Sequence, residues 1–280
     1  MKIAVMTDST AYLPVDIMEE LNIHMVPLSV VFEGTSYEEE IDIKYEEFYQ
    51  KIKEVKELPT TSQPSIGLIT TKLEALATDY DAVIAIHISS GISGTYQAVI
   101  TAGSMVEGIK VYPYDSELSC MGLGFYVLEA AKMAKENKTS EEILARLDEM
   151  KQSMRAYFMV EDLSNLHRGG RLNGAQAIVG SLLQVKPILH FVDKVIVPFE
   201  KIRTTKKALN RIMGMLEEDA AKGNELSVSF IHANNKQGAI ELRDAFIEKY
   251  PKSDTSINYF GPVIGTHLGE GSLGVVWYQK

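Results

Sequence analysis

Short apolar runs alternate with amphipathic stretches through the first half of the chain, and that alternation predicts most of its architecture. KIAVM at the N-terminus reads as a strand, followed by the polar loop Thr7, Asp8, Ser9 and Thr10. VDIMEELN reads as a helix, with Pro14 suited to its first turn. HMVPLSVVF reads as one strand, and Ile43 to Lys56 as a charged helix that includes Phe48 and Ile52. DAVIAIHI is the clearest buried strand and IKVYPYDS holds another. GLGFYVLEAAKMAKEN and SEEILARLDEMKQSM carry helical spacing. Alternation of this kind predicts an α/β N-terminal domain, residues 1–160, whose mostly parallel sheet is flanked by helices.

After about residue 155 the pattern changes. A turn is expected at Gly169-Gly170 within YFMVEDLSNLHRGGRL. PILHFVDKVIVPFEKIR reads as a hairpin turning at Asp193-Lys194, its paired part bracketed by Pro187 and Pro198. The helix TTKKALNRIMGMLEEDAAK, the strand LSVSFIHA, the helix QGAIELRDAFIEKY and the strand LGVVWYQ follow. This predicts a second, α+β domain over residues 161–280. No Gly-, Ser- or Pro-rich linker separates the two, so they are expected to pack closely.

Composition narrows the functional classes. Of 280 residues, 45% are hydrophobic and 24% charged, as in an ordinary globular protein. The formal charge of -10 argues against a broad nucleic-acid surface, which needs clustered positive charge. No apolar stretch approaches the roughly 18 residues of a membrane span, so stable membrane insertion is not expected. The N-terminal apolar run is too short for a signal peptide. The single cysteine, Cys120, cannot form an internal disulfide, reads as a core residue, and fits a reducing, cytoplasmic setting.

Four segments concentrate chemistry-bearing residues. SSGISGTYQ, Ser89 to Gln97, follows a buried strand and opens a helix. Ligands sit at the carboxyl ends of parallel strands, and helix N-termini favour anions. The bland reading is a turn capped by Ser93 or Thr95. TTSQPS, Thr60 to Ser65, is a second hydroxyl-rich loop, and RGGRL, Arg168 to Leu172, could present guanidinium groups to an anion. GPVIGTHLGEGSLG holds His267 among five glycines, which imply a constrained loop. The six histidines show no metal-ligand spacing, and no P-loop, H-E-x-x-H or C-x-x-C is present. Lys201, Arg203, Lys206, Lys207 and Arg211 form a basic run that is either a solvated face or a docking patch for an acidic partner.

Taken in order, TDST, TSQPS, SSGISGTYQ, DSELSCMGLG, RGGRL and IGTHLGEGSLG resemble the DegV family of bacterial fatty-acid-binding proteins across essentially the whole chain. The resemblance implies two domains with a ligand tunnel between them that holds one long-chain fatty acid. It places the carboxylate near Thr61 and Ser93, in loops that also carry Ser62, Gly94 and Thr95, with His267 close by. It further implies a non-catalytic binding subunit without a cofactor. Its partner would be a separate ATP-dependent fatty acid kinase, engaged through Arg203, with Arg171 as a second partner contact. Acyl phosphate would pass toward phospholipid synthesis through an acyl-phosphate-using acyltransferase. His267 is expected to add a donor and, when protonated, to offset the head-group charge. Tyr12, His167 and Glu270 depart from common family residues, and Glu270 bears on the conformation around His267. Two other readings stand beside this one. A serine hydrolase would use Ser93 and His267, with Asp115 as the guessed acid, although the G-x-S-x-G elbow lacks its last glycine. A small-anion or phosphate binder would use Arg168 and Arg171.

Overall fold

The computed structural model describes residues 1–280 except Lys56, residues 173–185 and Asn224. It divides into two compact units, one comprising Met1–Ile43 and Thr61–Gln152, the other Lys44–Thr60 and Ser153–Lys280. Neither unit is contiguous: the segment 44–60 interrupts the first unit in sequence and folds with the second.

In the first unit the strands β1 (Ile3–Asp8), β2 (Ile23–Val26), β6 (Ala82–His87) and β7 (Lys110–Asp115) form a parallel sheet in the order β2-β1-β6-β7. Every residue of β1 and β6 is buried, as strands covered on both faces require. Ala4, Met6, Val83 and Ala85 pack on one face against α3 (Ile66–Ala77) and α4 (Thr95–Gly103). The helix α5 (Cys120–Lys135) packs on β1 and β6, and α1 (Val15–Leu21) packs on α5. The helix α6 (Ser140–Ser153) closes the unit's sequence, burying Ile143, Leu147 and Met150.

HMVPLSVVF is two strands rather than one. Pro27 has no N–H for a ladder, so β2 ends at Val26, and β3 (Ser29–Phe32) joins a small sheet with β4 (Thr35–Glu38) and β5 (Thr60–Ser62) in the order β4-β3-β5. Cys120 is buried with a left-handed φ of 53°, and burial pushes its thiol well above the ordinary range.

The second unit is built on the sheet β10-β9-β8-β13-β11-β12. These strands are β8 (Arg155–Met159), β9 (Ile188–Val192), β10 (Val195–Glu200), β11 (Leu226–His232), β12 (Asp254–Tyr259) and β13 (Leu273–Gln279). Only β11 and β12 run parallel to each other; the other neighbours are antiparallel. The hairpin turn falls on Asp193 and Lys194, both with positive φ (47° and 74°), as a two-residue turn between twisted strands requires. Pro198 does not bracket the pairing. It lies inside the edge strand β10 opposite Leu189, next to a register shift, where a missing N–H is tolerated. The core brings Val228, Phe230, Val275 and Trp277 of the sheet against α8 (Thr205–Ala220) and α9 (Lys236–Lys249).

The expected 43–56 helix is shorter, α2 (Tyr45–Lys51), and its expected end, Lys56, lies outside the described residues. Its Tyr49 hydroxyl donates to the Phe260 carbonyl at 2.9 Å, and Lys53 just beyond it pairs with Glu270 at 2.8 Å. The glycine-rich tail is not the loop that its composition suggests. Pro262–Leu268 forms a helix, α10, with proline in its first turn, and Gly269 at φ 78° ends it. Glu270 follows, accepting from Lys53 and from Asn234 Nδ2. Among the described residues no helix is long and apolar enough to cross a membrane.

Candidate functional site

Three loops of the first unit gather polar side chains at the carboxyl ends of its strands. After β1, Asp8 caps a single 3-10 turn (Ser9–Ala11) through a bond from Thr10 N. Ser9 Oγ and Tyr12 Oη both donate to the buried Glu39 carboxylate, at 2.6 and 2.8 Å. Tyr12, one of the departures from the family pattern, therefore has a structural partner and a left-handed φ of 47°.

After β5, Ser65 caps α3 by accepting from Leu68 N at 3.1 Å, and Ser62 Oγ donates to Gln63 O at 3.2 Å. Thr61 is half-buried and Ser62 exposed. After β6, the residue at the N-cap of α4 is Gly94, not Ser93 or Thr95, and no side chain caps that helix. Ser93 Oγ lies 2.9 Å from Thr95 Oγ1 and accepts from Thr95 N at 3.3 Å. The two hydroxyls thus form one small polar group at the start of a nine-residue helix.

Gly94 brings the second and third loops together. A Cβ built there would lie 2.0 Å from Gln63 Oε1, so the Gln63 amide rests directly on the Gly94 backbone. Thr61, Ser62, Ser93, Gly94 and Thr95 therefore belong to two loops in contact within one unit. Asp115 is committed to Ser90: it accepts from Ser90 N at 3.2 Å and Ser90 Oγ at 2.5 Å, and from Glu117 N at 3.0 Å.

In the second unit His267 sits on the last turn of α10, half-buried. The space beside it depends on Gly169, where a Cβ would fall 2.3 Å from His267 Nδ1. Burial, reinforced by the neighbouring Arg171 guanidinium, pushes its pKa down to about 4. At that value the imidazole is neutral at pH 7, one nitrogen donating and the other accepting. Arg171 is half-buried, and its Nη1 donates to Gly169 O, whereas Arg168 is exposed. Arg203 is exposed just before α8, as are Lys201, Lys206 and Lys207. Arg211 is engaged by Glu200 at 2.9 Å, which divides the basic run into a paired end and an open one.

The sequence offered little sign of the Asp8–His87 pair. Both side chains are fully buried, with His87 Nδ1 3.0 Å from Asp8 Oδ2. The only signal was a histidine ending an otherwise apolar strand.

A family model described as an uncharacterised protein of the DegV family matches residues 2–280. The chain is 55% identical over 281 residues to protein DegV of Bacillus subtilis, covering 100% of each. It is 52% identical over 278 residues to a DegV domain-containing protein of Halalkalibacterium halodurans, covering 99% of this chain and 98% of the relative. Its fold is similar to the crystal structure of B. subtilis DegV, described as a fatty acid binding protein, with a TM-score of 0.96, 54% identity and 100% of each chain covered. A DegV family protein from Thermus thermophilus, described by its fatty acid binding, matches with a TM-score of 0.92 and 32% identity, again over 100% of each chain. With the model matched along almost its whole length and a relative of this identity covered end to end, the chain belongs to the DegV family.

Proposed function

We propose that this protein binds a long-chain fatty acid and is a carrier without catalysis of its own. Its proposed carboxylate contacts are Thr61, Ser62, Ser93, Gly94, Thr95 and His267. The observation that carries the reading is the contact between the two hydroxyl-bearing loops after β5 and β6. They converge at a strand end and helix start, in a chain 54% identical throughout to a DegV described as a fatty acid binding protein. Hydroxyls suit such a ligand because a rotating O–H can donate to a carboxylate or accept from a protonated acid.

The carrier presents the carboxylate to a separate ATP-dependent kinase, receives the acyl phosphate, and passes it to an acyltransferase that uses it. What supports this step is the family resemblance together with the exposed Arg203 on an otherwise acidic chain. Arg203 and Arg171 are the proposed kinase contacts.

Native mass spectrometry of the purified chain, followed by organic extraction, tests the binding reading. The expected result is a retained long-chain fatty acid, and reloading of the delipidated chain by added fatty acid. A chain that purifies without lipid and takes none up overturns it.

A further inference from the structure

The strand β6 runs between β1 and β7, and its register places His87 beside Asp115 while Ala85 pairs with Met6. Both neighbours therefore deliver a carboxylate to the start of the loop that carries Ser93. We propose that Asp8 and Asp115 are positioning residues for this head-group loop, holding it from its two sides; the proposal rests on the fatty-acid reading.

The bonds divide cleanly between them. Asp8 Oδ2 accepts from Ile88 N at 2.9 Å and meets His87 Nδ1 at 3.0 Å, while its Oδ1 accepts from Thr10 N at 3.1 Å. Asp115 takes both the backbone N–H and the hydroxyl of Ser90. Between these two tethers, Ser89 N donates to Leu118 O at 2.8 Å. The Ser89 carbonyl in turn accepts from Ile92 N and Ser93 N, each at 3.1 Å. Fixing residues 88 and 90 thus fixes the carbonyl from which Ser93 hangs.

A carboxylate suits this task because it only accepts, has room for several donors, and makes stronger bonds than a neutral acceptor. Its charge is consumed by loop N–H and O–H groups, and neither carboxylate bonds the Ser93 hydroxyl, whose partner is Thr95. The loop is therefore rigid beneath a head-group contact that keeps its own hydroxyl chemistry. Preorganisation of this kind lowers the ordering cost on binding.

Asp8 is fully buried among its donors, so Asp8→Asn is at risk of failing to fold. Asp115→Asn and Ser90→Ala are the working variants. Their affinities for dodecanoic acid and for its methyl ester are compared with those of the unaltered chain, alongside thermal unfolding. A positioning role predicts that acid-over-ester selectivity falls about tenfold in Asp115→Asn, equivalent to about 1.4 kcal/mol. Ser90→Ala should move it the same way by less, and ester affinity should stay where it was. Equal losses for acid and ester, or no loss for either, overturn the proposal. If the unaltered chain binds neither probe, the fatty-acid reading itself fails, and this proposal falls with it.

Discussion

Gly169→Ala is a sharp probe of His267 because the perturbation is almost purely steric. Gly169 has φ −69° and ψ −11°, a right-handed conformation that alanine adopts without strain. The new Cβ would lie 2.3 Å from His267 Nδ1 and 2.9 Å from Cε1, whereas ordinary contact starts at 3.4 Å. The ring must retreat by about 1 Å, since carbon contacts settle near 3.5–4.0 Å. Folding should lose about 1–3 kcal/mol to crowding, which includes a 3.1 Å approach to Asn165 O. The smaller entropy of an alanine-bearing unfolded chain contributes about 0.4–1 kcal/mol in favour of the fold and offsets part of the crowding. Ligand binding should register it, because a hydrogen bond to a charged group is worth about 1.5–3 kcal/mol and a displaced ring forfeits much of that. Fatty-acid affinity should therefore fall by about tenfold.

Titration calorimetry with a soluble fatty acid reads the affinity, and a thermal melt reads the fold. The control is the same substitution in a His267→Ala background, where no imidazole remains to be displaced. There Gly169→Ala should have no further effect, and the two substitutions should be strongly non-additive. An unchanged affinity in the single variant refutes the role of His267 as a ligand contact. An equal drop in both backgrounds shows that Gly169 acts through something else.

Three further outcomes are expected. His232 and His267 are both held near pKa about 4, His232 by burial with Lys236 nearby, and His267 by burial with Arg171 nearby. Unfolded, each titrates near 6.5, so between those values the unfolded chain binds protons that the folded chain refuses. Stability should be full above about pH 6.5 and fall as the pH drops toward 4; urea titrations of the chain and of His267→Asn should show a shallower fall in the variant, and equal slopes contradict the assignment. Gly265→Ala would put a Cβ 2.5 Å from Tyr49 Oη and 2.9 Å from Phe48 Cε1 in a buried contact. Overpacking costs about 1–3 kcal/mol against about 1 kcal/mol of helix propensity gained, so the melting temperature should drop, and Tyr49→Phe should recover part of it. Arg203→Glu should weaken acyl phosphate formation with the kinase while fatty-acid affinity in calorimetry is retained; joint loss of both would place the residue in the fold instead.

The parallel sheet could be read from the chain because its central strands are buried on both faces, which leaves an uninterrupted apolar run such as DAVIAIHI. β12 could not. It lies at a sheet edge, half-buried, and DTSINY holds no apolar run to mark it as a strand. The split of HMVPLSVVF was written in Pro27, but a proline between two apolar runs does not say that they enter different sheets. Nor does local pattern show that 44–60 folds with the distant second half, because the evidence is long-range, in bonds such as Tyr49 to Phe260. At the candidate site the hydroxyl loops were legible as motifs because they stand in a fixed order along the chain, since glycine and serine at a strand end alone also make an ordinary capped turn. Their support was not: Asp8 and His87 meet only when β1 and β6 are set in register. The protonation of His267 was not legible for a related reason. Sequence shows a titratable ring, while its pKa is decided by burial and by Arg171.

The proposed carrier has to hold its ligand and still give it up. A tail of roughly 15 methylenes at about 0.8 kcal/mol each supplies on the order of 12 kcal/mol gross. Association and ordering cost about 4–15 kcal/mol, so the tail can meet most of the demand and the head group need contribute little. A protonated histidine beside the carboxylate would have added a strong ground-state grip that a kinase must then overcome. Burial and Arg171 both push His267 toward its neutral form, so the proposed contacts lean on hydroxyls rather than on a permanently charged ring. The carboxylates of Asp8 and Asp115 behind the Ser93 loop are each already occupied by donors. Such a site orients an anion more than it traps one. Orientation matters most for transfer, because the reacting oxygen must be offered in one direction while the tail stays bound. Under the proposed carrier function the tethered loop, rather than any single strong bond, would be the first unit's contribution to handing the head group over.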